Sequence, residues 1–226
     1  MFTGKQNKGR IQDILRSDKS DMKKNGCPVP SDSPWKILLE IRRNFYSPLI
    51  RFVFVWNGVR WGKNWRVFGR PIIQRHRKSR ITIGDGLTLR SWPSSNPLSP
   101  THPVVLSTRK QGAVICIGAN VGITGGTICA NERIDIGDRV YVGANCTIVD
   151  TDFHPINPQL RQQNPQQGES AAVSIGDDVF IGMSCMILKG VEIGSGSVIG
   201  AGSIVTRSVP RGVVVAGNPA TVIREL

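Results

Sequence analysis

The sequence predicts an all-β solenoid, a fold in which short strands stack coil upon coil. Three observations support this fold class. An aliphatic residue recurs at every sixth position near the C-terminus, a glycine directly follows most of these positions, and the same spacing returns further upstream. Six such positions in an unbroken row make the period the strongest signal in the chain. They are Ile175, Ile181, Ile187, Ile193, Ile199 and Val205.

A repeat of six residues has a direct physical meaning. Side chains alternate with a period of 2.0 in strands and 3.6 in helices, so neither element alone places a glycine at a fixed offset in every sixth residue. A solenoid with a triangular coil does, because each of its three flat faces is about six residues long and sends one aliphatic side chain inward. Small corner residues let the backbone turn and stack closely. The upstream positions with the same spacing are Ile83, Ile117, Ile123, Ile136, Val142 and Ile148.

Charge and composition divide the chain into three parts. Residues 1–80 contain 19 Lys and Arg against 5 Asp and Glu, whereas residues 81–226 contain 10 against 11. Residues 1–30 are polar and basic, which predicts a flexible tail. Residues 31–80 are rich in aromatic side chains and predict an amphipathic N-terminal segment, while residues 81–226 predict the solenoid domain.

A helix is predicted in the stretch "SDSPWKILLEIRRNFY". Ser33 suits the N-cap and Pro34 suits the first helical position. Pro48 should end or kink this helix. The aromatic and basic residues of 34–68 fit two interpretations. They cap the first coil, as the ends of solenoids require, or they contact an anionic membrane surface, where Trp, Tyr, Lys and Arg are favoured.

Cysteine usage and the N-terminus indicate a reducing compartment. The five cysteines are odd in number and form no CxxC motif, which favours buried thiols over a disulfide framework. The N-terminus, "MFTGKQNKGR", lacks the apolar region of a signal peptide. The longest aromatic–aliphatic run, Phe52–Trp56, is far shorter than the ~20 residues of a membrane-spanning helix. We therefore expect a cytoplasmic protein.

One interruption of the repeat carries acidic residues and a histidine. The spacing stops at Ile148 and resumes at Val173, which predicts an extruded loop over residues 150–172. The loop begins with "DTDFHP", and His154 is the one histidine after residue 102. Imidazole titrates near neutral pH, so His154 suits a general base that takes the proton of a hydroxyl group. The alternative is a loop histidine that bonds only to the backbone.

Two carboxylates precede this histidine. Asp152 is predicted to act in catalysis, because a carboxylate can fix the imidazole tautomer and stabilise the imidazolium. Asp150 is predicted to bind the acceptor, the molecule that carries this hydroxyl group. For either residue the alternative is a structural role, such as capping the turn that leaves the last strand, which is common for Asp.

The repeats resemble a known family. The stretches "IGDDVFIGMSCMILKGVEIGSGSVIGAGSIVT" and "AGNPATVIREL" are similar to the hexapeptide-repeat acyltransferases, whose fold is a left-handed parallel β-helix. The resemblance covers about residues 81–226. The stretch "IGANVGITGG…IGDRVYVGANCTIVDTDFHPI" is most similar to O-acetyltransferases of bacterial polysaccharide synthesis, with galactoside and maltose acetyltransferases as more distant relatives.

The resemblance implies a homotrimer with acetyl-CoA as co-substrate, bound between subunits. It also implies that His154 is the general base and that Asn120 contacts the acceptor. The alternative for Asn120 is a corner residue in the left-handed backbone conformation. The positions that match coenzyme A contacts are Phe180, Gly182, Met183, Ala201, Thr206, Arg207 and Arg224. The alternative for Phe180 is an outward aromatic side chain in the trimer interface, and the alternative for Arg207 and Arg224 is a solvated surface.

The function expected from the sequence is transfer of an acyl group, most simply acetyl, from acyl-CoA to a hydroxyl of a glycan or glycan precursor. If the aromatic segment contacts a membrane, the acceptor is a lipid-linked sugar at the inner face of the cytoplasmic membrane. No metal and no nucleic acid are expected to take part. The alternative is a non-catalytic trimeric scaffold or binding protein. A zinc-dependent carbonic anhydrase of this fold class would need three histidines at one site, and the repeats carry only one.

Overall fold

The computed structural model describes residues 33–226, so the tail predicted over residues 1–30 lies outside the described residues. The chain divides into two compact units, Met1–Glu40 and Ile41–Leu226. The second unit contains three sheets, here called A, B and C, and in each sheet successive members come from successive coils.

The strands of the three sheets are short and, within the solenoid, parallel. Sheet A contains β1 (Arg66–Phe68), β4 (Thr88–Arg90), β7 (Gly122–Thr124), β10 (Tyr141–Val142), β13 (Phe180–Ile181), β16 (Val198–Ile199), β18 (Val213–Gly217) and the antiparallel β19 (Ala220–Glu225). Sheet B contains β2 (Ile72–Arg75), β5 (Val105–Thr108), β8 (Thr127–Ala130), β11 (Thr147–Val149), β14 (Met186–Ile187) and β17 (Ile204–Val205). Sheet C contains β3 (Arg80–Ile83), β6 (Val114–Ile117), β9 (Arg133–Ile136), β12 (Val173–Ile175) and β15 (Glu192–Ile193).

The chain visits sheets A, B and C in turn, so three strands make one triangular coil. Coil 1 is β1–β3, coil 2 is β4–β6, coil 3 is β7–β9, coil 4 is β10–β12, coil 5 is β13–β15, and β16–β17 begin coil 6. The aliphatic residue of each six-residue step points inward: Ile148, Ile181 and Ile187 are fully buried. The predicted parallel β-helix is confirmed, because the period of six is the length of one face of the coil.

The first coil begins earlier than the repeat indicated. The boundary at residue 81 is too late, because β1 and β2 already pair in parallel with coil 2. Val67 and Ile73 belong to the core of coil 1 and keep the six-residue spacing, but the next repeat position, Ile83, comes ten residues after Ile73. This longer step breaks the six-residue spacing, so coil 1 cannot be recognised from the repeat in the sequence.

Helix α1 (Pro34–Trp56) starts where Ser33 and Pro34 predict, but it does not end at Pro48. Proline at this position leaves the carbonyl of Asn44 without its helical donor. Asn44 and Pro48 are exposed, so water can satisfy that carbonyl and the helix continues. Among the described residues, no helix is long and apolar enough to cross a membrane.

The C-terminal half of α1 joins the hydrophobic core. Ile50 and Phe54 are buried, and the Phe54 ring lies 5.6 Å from the Trp61 ring and 5.2 Å from the Trp65 ring, both edge to face. Edge-to-face aromatic pairs add stabilisation beyond the area they bury. This part of the aromatic segment therefore acts as a cap on the first coil.

The solenoid is interrupted twice, and the sequence signal showed only one interruption. Residues 150–172 leave at the corner between sheets B and C, between β11 and β12. Residues 91–104 leave at the corner between sheets A and B, between β4 and β5, and contain a short 3-10 turn at Pro93–Ser95. We refer to these segments as loop 150–172 and loop 91–104, and to the corners by the sheets that meet there.

Candidate functional site

Loop 150–172 is built on a two-stranded stem. Thr151 and Ser170 form an antiparallel bridge, the Asp152 N–H donates to the Glu169 carbonyl at 3.0 Å, and the Ala171 N–H donates to the Asp150 carbonyl at 2.9 Å. Beyond the stem lies helix α2 (Pro158–Gln163), whose N-cap Asn157 accepts hydrogen bonds from two backbone amides. The stem and the cap hold the first turn of the loop in one geometry.

His154 is exposed at the first turn of this loop, in coil 4 at the B/C corner. Its ring Nδ1 lies 2.5 Å from the carbonyl oxygen of Pro165. A carbonyl oxygen only accepts hydrogen bonds, so the neutral ring carries its proton on Nδ1 and its lone pair on Nε2. Nε2 is the atom that a general base needs to present to solvent and substrate.

The backbone around His154 is held in an unusual conformation. Phe153 has φ +63°, a left-handed value that is rare for an aromatic residue. The backbone of Gly168 passes so close that a Cβ there would lie 2.6 Å from the His154 nitrogen. The Phe153 ring faces the guanidinium of Arg109 at 4.9 Å. These contacts fix the direction in which the histidine leaves the loop.

Asp150 is fully buried and binds backbone rather than the histidine. Its Oδ1 accepts from the Asn131 N–H, and its Oδ2 accepts from the N–H groups of Glu132 and Arg133, each at 2.7 Å. Three such charge-assisted hydrogen bonds satisfy most of the carboxylate. The structure therefore favours the capping interpretation of Asp150 over acceptor binding.

Asp152 pairs with a lysine that the sequence did not single out. Its Oδ2 lies 2.7 Å from Lys189 Nζ, and Lys189 also lies 2.8 Å from Glu169 Oε2. Asp152 first, and then Glu169, raise the pKa of Lys189 by hydrogen bonding to its ammonium. Nδ1 of His154 forms its hydrogen bond with the carbonyl of Pro165 and not with a carboxylate. Asp152 thus holds the loop stem to coil 5. Lys189 is the only lysine after residue 110, which is the signal that could have found it.

Asn120 lies at the C/A corner, at the other edge of sheet C from His154. It has φ +58°, and the equivalent corner residues of the next two coils, Arg139 and Asp178, have the same value. Its side-chain oxygen lies directly over Gly86, where a Cβ would collide with it. Within one chain the structure does not bring Asn120 to His154. Because residues in the same conformation recur at this corner in successive coils, the structure favours a corner role for Asn120.

The seven residues matched to coenzyme A contacts fall into two groups. Thr206 and Arg207 follow β17 at the B/C corner, two coils beyond His154 and on the same edge. The other group lies on the outer face of sheet A and at the A/B corner, where Phe180 is 49% exposed. That group consists of Phe180, Gly182, Met183, Ala201 and Arg224.

The A/B corner of coils 5 and 6 is closely packed backbone. A Cβ on Gly182 would lie 2.6 Å from the Ala201 nitrogen, so only glycine permits this stacking. The Gly182 N–H donates to the Ile199 carbonyl at 2.8 Å and belongs to the sheet. The backbone of Met183 follows at the turn, where its carbonyl accepts from the Gly202 N–H.

Two buried thiols lie directly inside this corner. The Cys146 thiol donates to the Gly182 carbonyl at 2.9 Å, and the Cys185 thiol donates to the Gly200 carbonyl at 3.1 Å. The proximity of the two thiols lowers the pKa of Cys185 and raises the pKa of Cys146. Both side chains are 1% exposed, so they serve as core residues. The four described cysteines are free thiols.

Comparison with known proteins agrees with this architecture. A family model described as bacterial transferase hexapeptide (six repeats) matches residues 172–207. The galactoside O-acetyltransferase of Escherichia coli (strain K12) is 44% identical over 100 residues, covering 44% of this chain and 48% of that protein. The galactoside O-acetyltransferase of Lactococcus lactis subsp. lactis (strain IL1403) is 41% identical over 100 residues, covering 44% and 47%.

A solved structure extends the similarity to the whole chain. A galactoside acetyltransferase in complex with coenzyme A superimposes with a TM-score of 0.51 at 27% identity, covering 99% of this chain and 85% of that one. The resemblance to the hexapeptide-repeat acyltransferases is thus confirmed, and with it the left-handed sense of the β-helix. The chain spans about half the length of the curated relatives it matches.

Proposed function

We propose that this protein transfers an acetyl group from acetyl-CoA to a sugar hydroxyl, with His154 as the general base. The observation that carries the proposal is the His154–Pro165 hydrogen bond, because it directs the lone pair of Nε2 away from the loop. The named relatives act on galactosides, and the superimposable structure binds coenzyme A, which supports a sugar acceptor and this donor.

The reaction requires only a general base beside an activated acyl group. The thioester supplies an activated acyl carbon. Nε2 of His154 takes the proton of the sugar hydroxyl as its oxygen forms a bond to that carbon. When the carbon–sulfur bond breaks, the imidazolium returns the proton to the leaving thiolate. The Pro165 carbonyl keeps Nδ1 as a donor throughout, so the ring does not change tautomer between the two proton transfers.

We propose further that the protein acts as a homotrimer. In one chain His154 stands at the B/C corner, whereas most of the matched donor-binding residues lie across sheet B at the A/B corner. One groove can contain both His154 and the A/B-corner residues only if a neighbouring copy of the chain supplies one of the two. That arrangement makes each active site a shared one.

The outer faces of the sheets support such an assembly. Tyr141 and Phe180 are exposed neighbours on sheet A, and Ile72 and Met186 are exposed on sheet B. Burial between subunits removes these apolar surfaces from water. Sheet C carries a different set on its outer face: Arg80, Thr82, Arg133, Asp135, Ser174 and Glu192.

The exposed side of α1 supports a membrane-associated acceptor. Its exposed apolar residues recur every three or four positions on one face, opposite the buried Ile50 and Phe54. Arg51 in the helix and Arg60 just after it are also exposed. Such a helix binds in the plane of an anionic bilayer surface, where each Arg adds about 1 kcal/mol of attraction. We therefore propose a lipid-linked sugar at the cytoplasmic face of the membrane as acceptor. The stripe is Ile41, Phe45, Leu49, Phe52 and Trp56.

The activity is tested with acetyl-CoA and two acceptor panels, the methyl and the octyl glycosides of glucose, galactose and mannose. We expect release of free thiol that depends on a glycoside, formation of a singly acetylated sugar by mass spectrometry, and faster transfer to the octyl series. A protein that binds no coenzyme A and acetylates no glycoside in either panel supports the scaffold alternative instead.

Membrane contact is tested by flotation with vesicles that contain phosphatidylglycerol. Truncation near Ile81 is unsuitable, because Ile50 and Phe54 belong to the core. The double substitution Phe45→Asp and Trp56→Asp changes only exposed positions of α1, and Ile223→Asp, 61% exposed in the wild type, is the matched control. We expect the wild type and the control to float at low salt and the double variant to remain in the soluble fraction. Equal flotation of all three excludes α1 as the contact.

A further inference from the structure

Loop 91–104 has no counterpart at the other A/B corners. Those corners need only two to four residues between strands, as in Gly143–Cys146 and Gly182–Cys185, whereas this one contains fourteen. An insertion of this length at one corner of a regular solenoid has a conformational cost and is typical of binding loops.

The loop runs along the A/B corner instead of extending into solvent. At coil 1 the Trp92 ring packs on Gly69, where a Cβ would lie 2.7 Å from the ring. At coil 3 the Asn96 side chain donates to Thr124 Oγ1 at 3.4 Å. At coil 4 the Thr101 N–H and hydroxyl both donate to Asn145 Oδ1, at 2.9 and 3.1 Å.

The next corner below Asn145 is the donor corner of the proposed reaction. The turn Gly143–Asn145 stacks directly on Met183, since a Cβ on Gly143 would lie 2.6 Å from the Met183 nitrogen. Successive coils are about 4.8 Å apart. The tip of loop 91–104 therefore lies one coil above Gly182 and Met183, two of the residues matched to coenzyme A contacts. If the thioester lies at this corner, an incoming hydroxyl has to approach beside the tip.

One side chain of the tip is suited to a sugar. His102 is half-buried, and its Nδ1 donates to the Pro103 carbonyl at 2.8 Å, which leaves the lone pair on Nε2. An imidazole nitrogen beside the acyl-transfer position can accept a hydrogen bond from a sugar hydroxyl. The other end of the loop meets α1, where the Arg42 guanidinium lies 4.1 Å from the Trp92 ring centre and Tyr46 packs edge-on at 5.8 Å.

We propose that loop 91–104 is the acceptor-binding element and that His102 Nε2 accepts a hydrogen bond from a hydroxyl of the sugar. This inference rests on the proposed function, because it requires an acyl donor at the A/B corner. The loop then connects α1, which it meets at Arg42 and Tyr46, to the acyl-transfer position, so a lipid-linked sugar lies along it. His102 binds and orients the acceptor, and the proton transfer stays with His154.

Gly125 explains how the loop approaches so closely. Gly125 has φ +40°, and a Cβ there would collide with the Pro100 Cβ and lie 2.8 Å from the His102 carbonyl oxygen. Gly125→Ala should therefore displace the loop. Gly112 provides a matched control, because its φ is +82° but a Cβ added there would have no neighbour within 4 Å.

The test measures the KM of the fastest octyl glycoside and of acetyl-CoA separately. His102→Ala should raise the glycoside KM about three- to ten-fold, the range expected for one neutral hydrogen bond, and leave the acetyl-CoA KM unchanged. His102→Gln keeps a hydrogen-bonding group and should recover part of the loss. His76→Ala, an exposed histidine at the B/C corner of coil 1, should change neither constant.

Gly125→Ala should raise the glycoside KM at least as much as His102→Ala, and Gly112→Ala should not. If His102→Ala and Gly125→Ala match their controls while His154→Ala abolishes transfer, this inference is overturned and the proposed function stands. If the wild type transfers acetyl to no glycoside in the panels, the proposed function itself fails, and the inference fails with it.

Discussion

Loop 150–172 and loop 91–104 leave the same solenoid at opposite edges of sheet B, and they are built differently. Loop 150–172 carries its own stem, its own helix and an ion pair to coil 5. Loop 91–104 has only a 3-10 turn, and side chains attach it to coils 1, 3 and 4. Each presents a histidine whose Nδ1 donates to a proline carbonyl.

The difference shows two ways in which a flat solenoid wall can position a reactive group. A loop that folds on itself holds its histidine through its own backbone contacts, with an ion pair tying its stem to the wall, which suits a base that must keep one orientation through two proton transfers. A loop that lies along the wall takes its shape from the residues below it, which suits recognition of an extended ligand. This division of roles predicts mutational effects of different size, and the largest belongs to loop 150–172.

The largest effect is expected at the base. His154→Ala should lower the turnover number by a factor of about 10²–10⁴, the usual contribution of a general base. Coenzyme A affinity and the oligomer mass from light scattering should stay unchanged, because the side chain is exposed. His76→Ala is the control, and a His154→Ala enzyme that retains normal turnover removes the base from the mechanism.

A mixing experiment tests whether each active site combines His154 of one subunit with the A/B corner of a neighbouring subunit. His154→Ala and Ala201→Trp should each be inactive, the second because a large side chain fills the exposed A/B corner of coil 6. After dissociation and reassembly at equal amounts, about one quarter of the shared sites combine an intact His154 with an intact corner. Recovery near one quarter of wild-type activity is expected, and no recovery indicates that each site lies within a single copy.

Loosening the stem of loop 150–172 should have an intermediate effect. Lys189→Met removes the ion pair with Asp152, so residues 151–153 should exchange amide hydrogens faster and turnover should fall by up to about ten-fold. Glu169→Gln is the control, since Glu169 is 81% exposed and such pairs contribute little. A Lys189→Met enzyme with unchanged exchange and turnover shows that the stem does not depend on this contact.

The pH dependence of that variant follows from the raised pKa of Lys189. The pair contributes stability fully below the ordinary lysine value of about 10.4 and loses it only as the pH rises through the raised value. The ratio of wild-type to Lys189→Met turnover should therefore be the same at pH 6 and pH 8. A ratio that changes over this interval points to a group other than Lys189.

The smallest effect is expected in loop 91–104. Thr101→Val removes the hydroxyl bond to Asn145 but keeps the backbone bond to the same oxygen. Loss of one exposed neutral hydrogen bond costs about 0.5 kcal/mol, so the glycoside KM should rise about two-fold. A larger rise than that of His102→Ala would mean that the loop's position matters more than its histidine.

The sequence alone determined the coil. The six-residue period arises because each face of a triangular solenoid has to bury one aliphatic side chain in the interior. The sequence also located loop 150–172, because a break in a strict period is visible without coordinates. It missed loop 91–104, since the early coils contain few repeat positions and a break there has no regular background to interrupt.

Only the tertiary structure decided how the side chains of the site are used. The string "DTDFHP" places Asp150, Asp152 and His154 within five residues, yet Asp150 caps buried backbone, Asp152 pairs with Lys189, and His154 bonds to Pro165. Hydrogen-bond partners depend on where the chain returns after eleven or more residues, and local sequence does not specify that. The two corners of sheet B are likewise separated by chain geometry, so the alignment of motifs alone could not show that His154 and most of the residues matched to coenzyme A contacts lie on different edges.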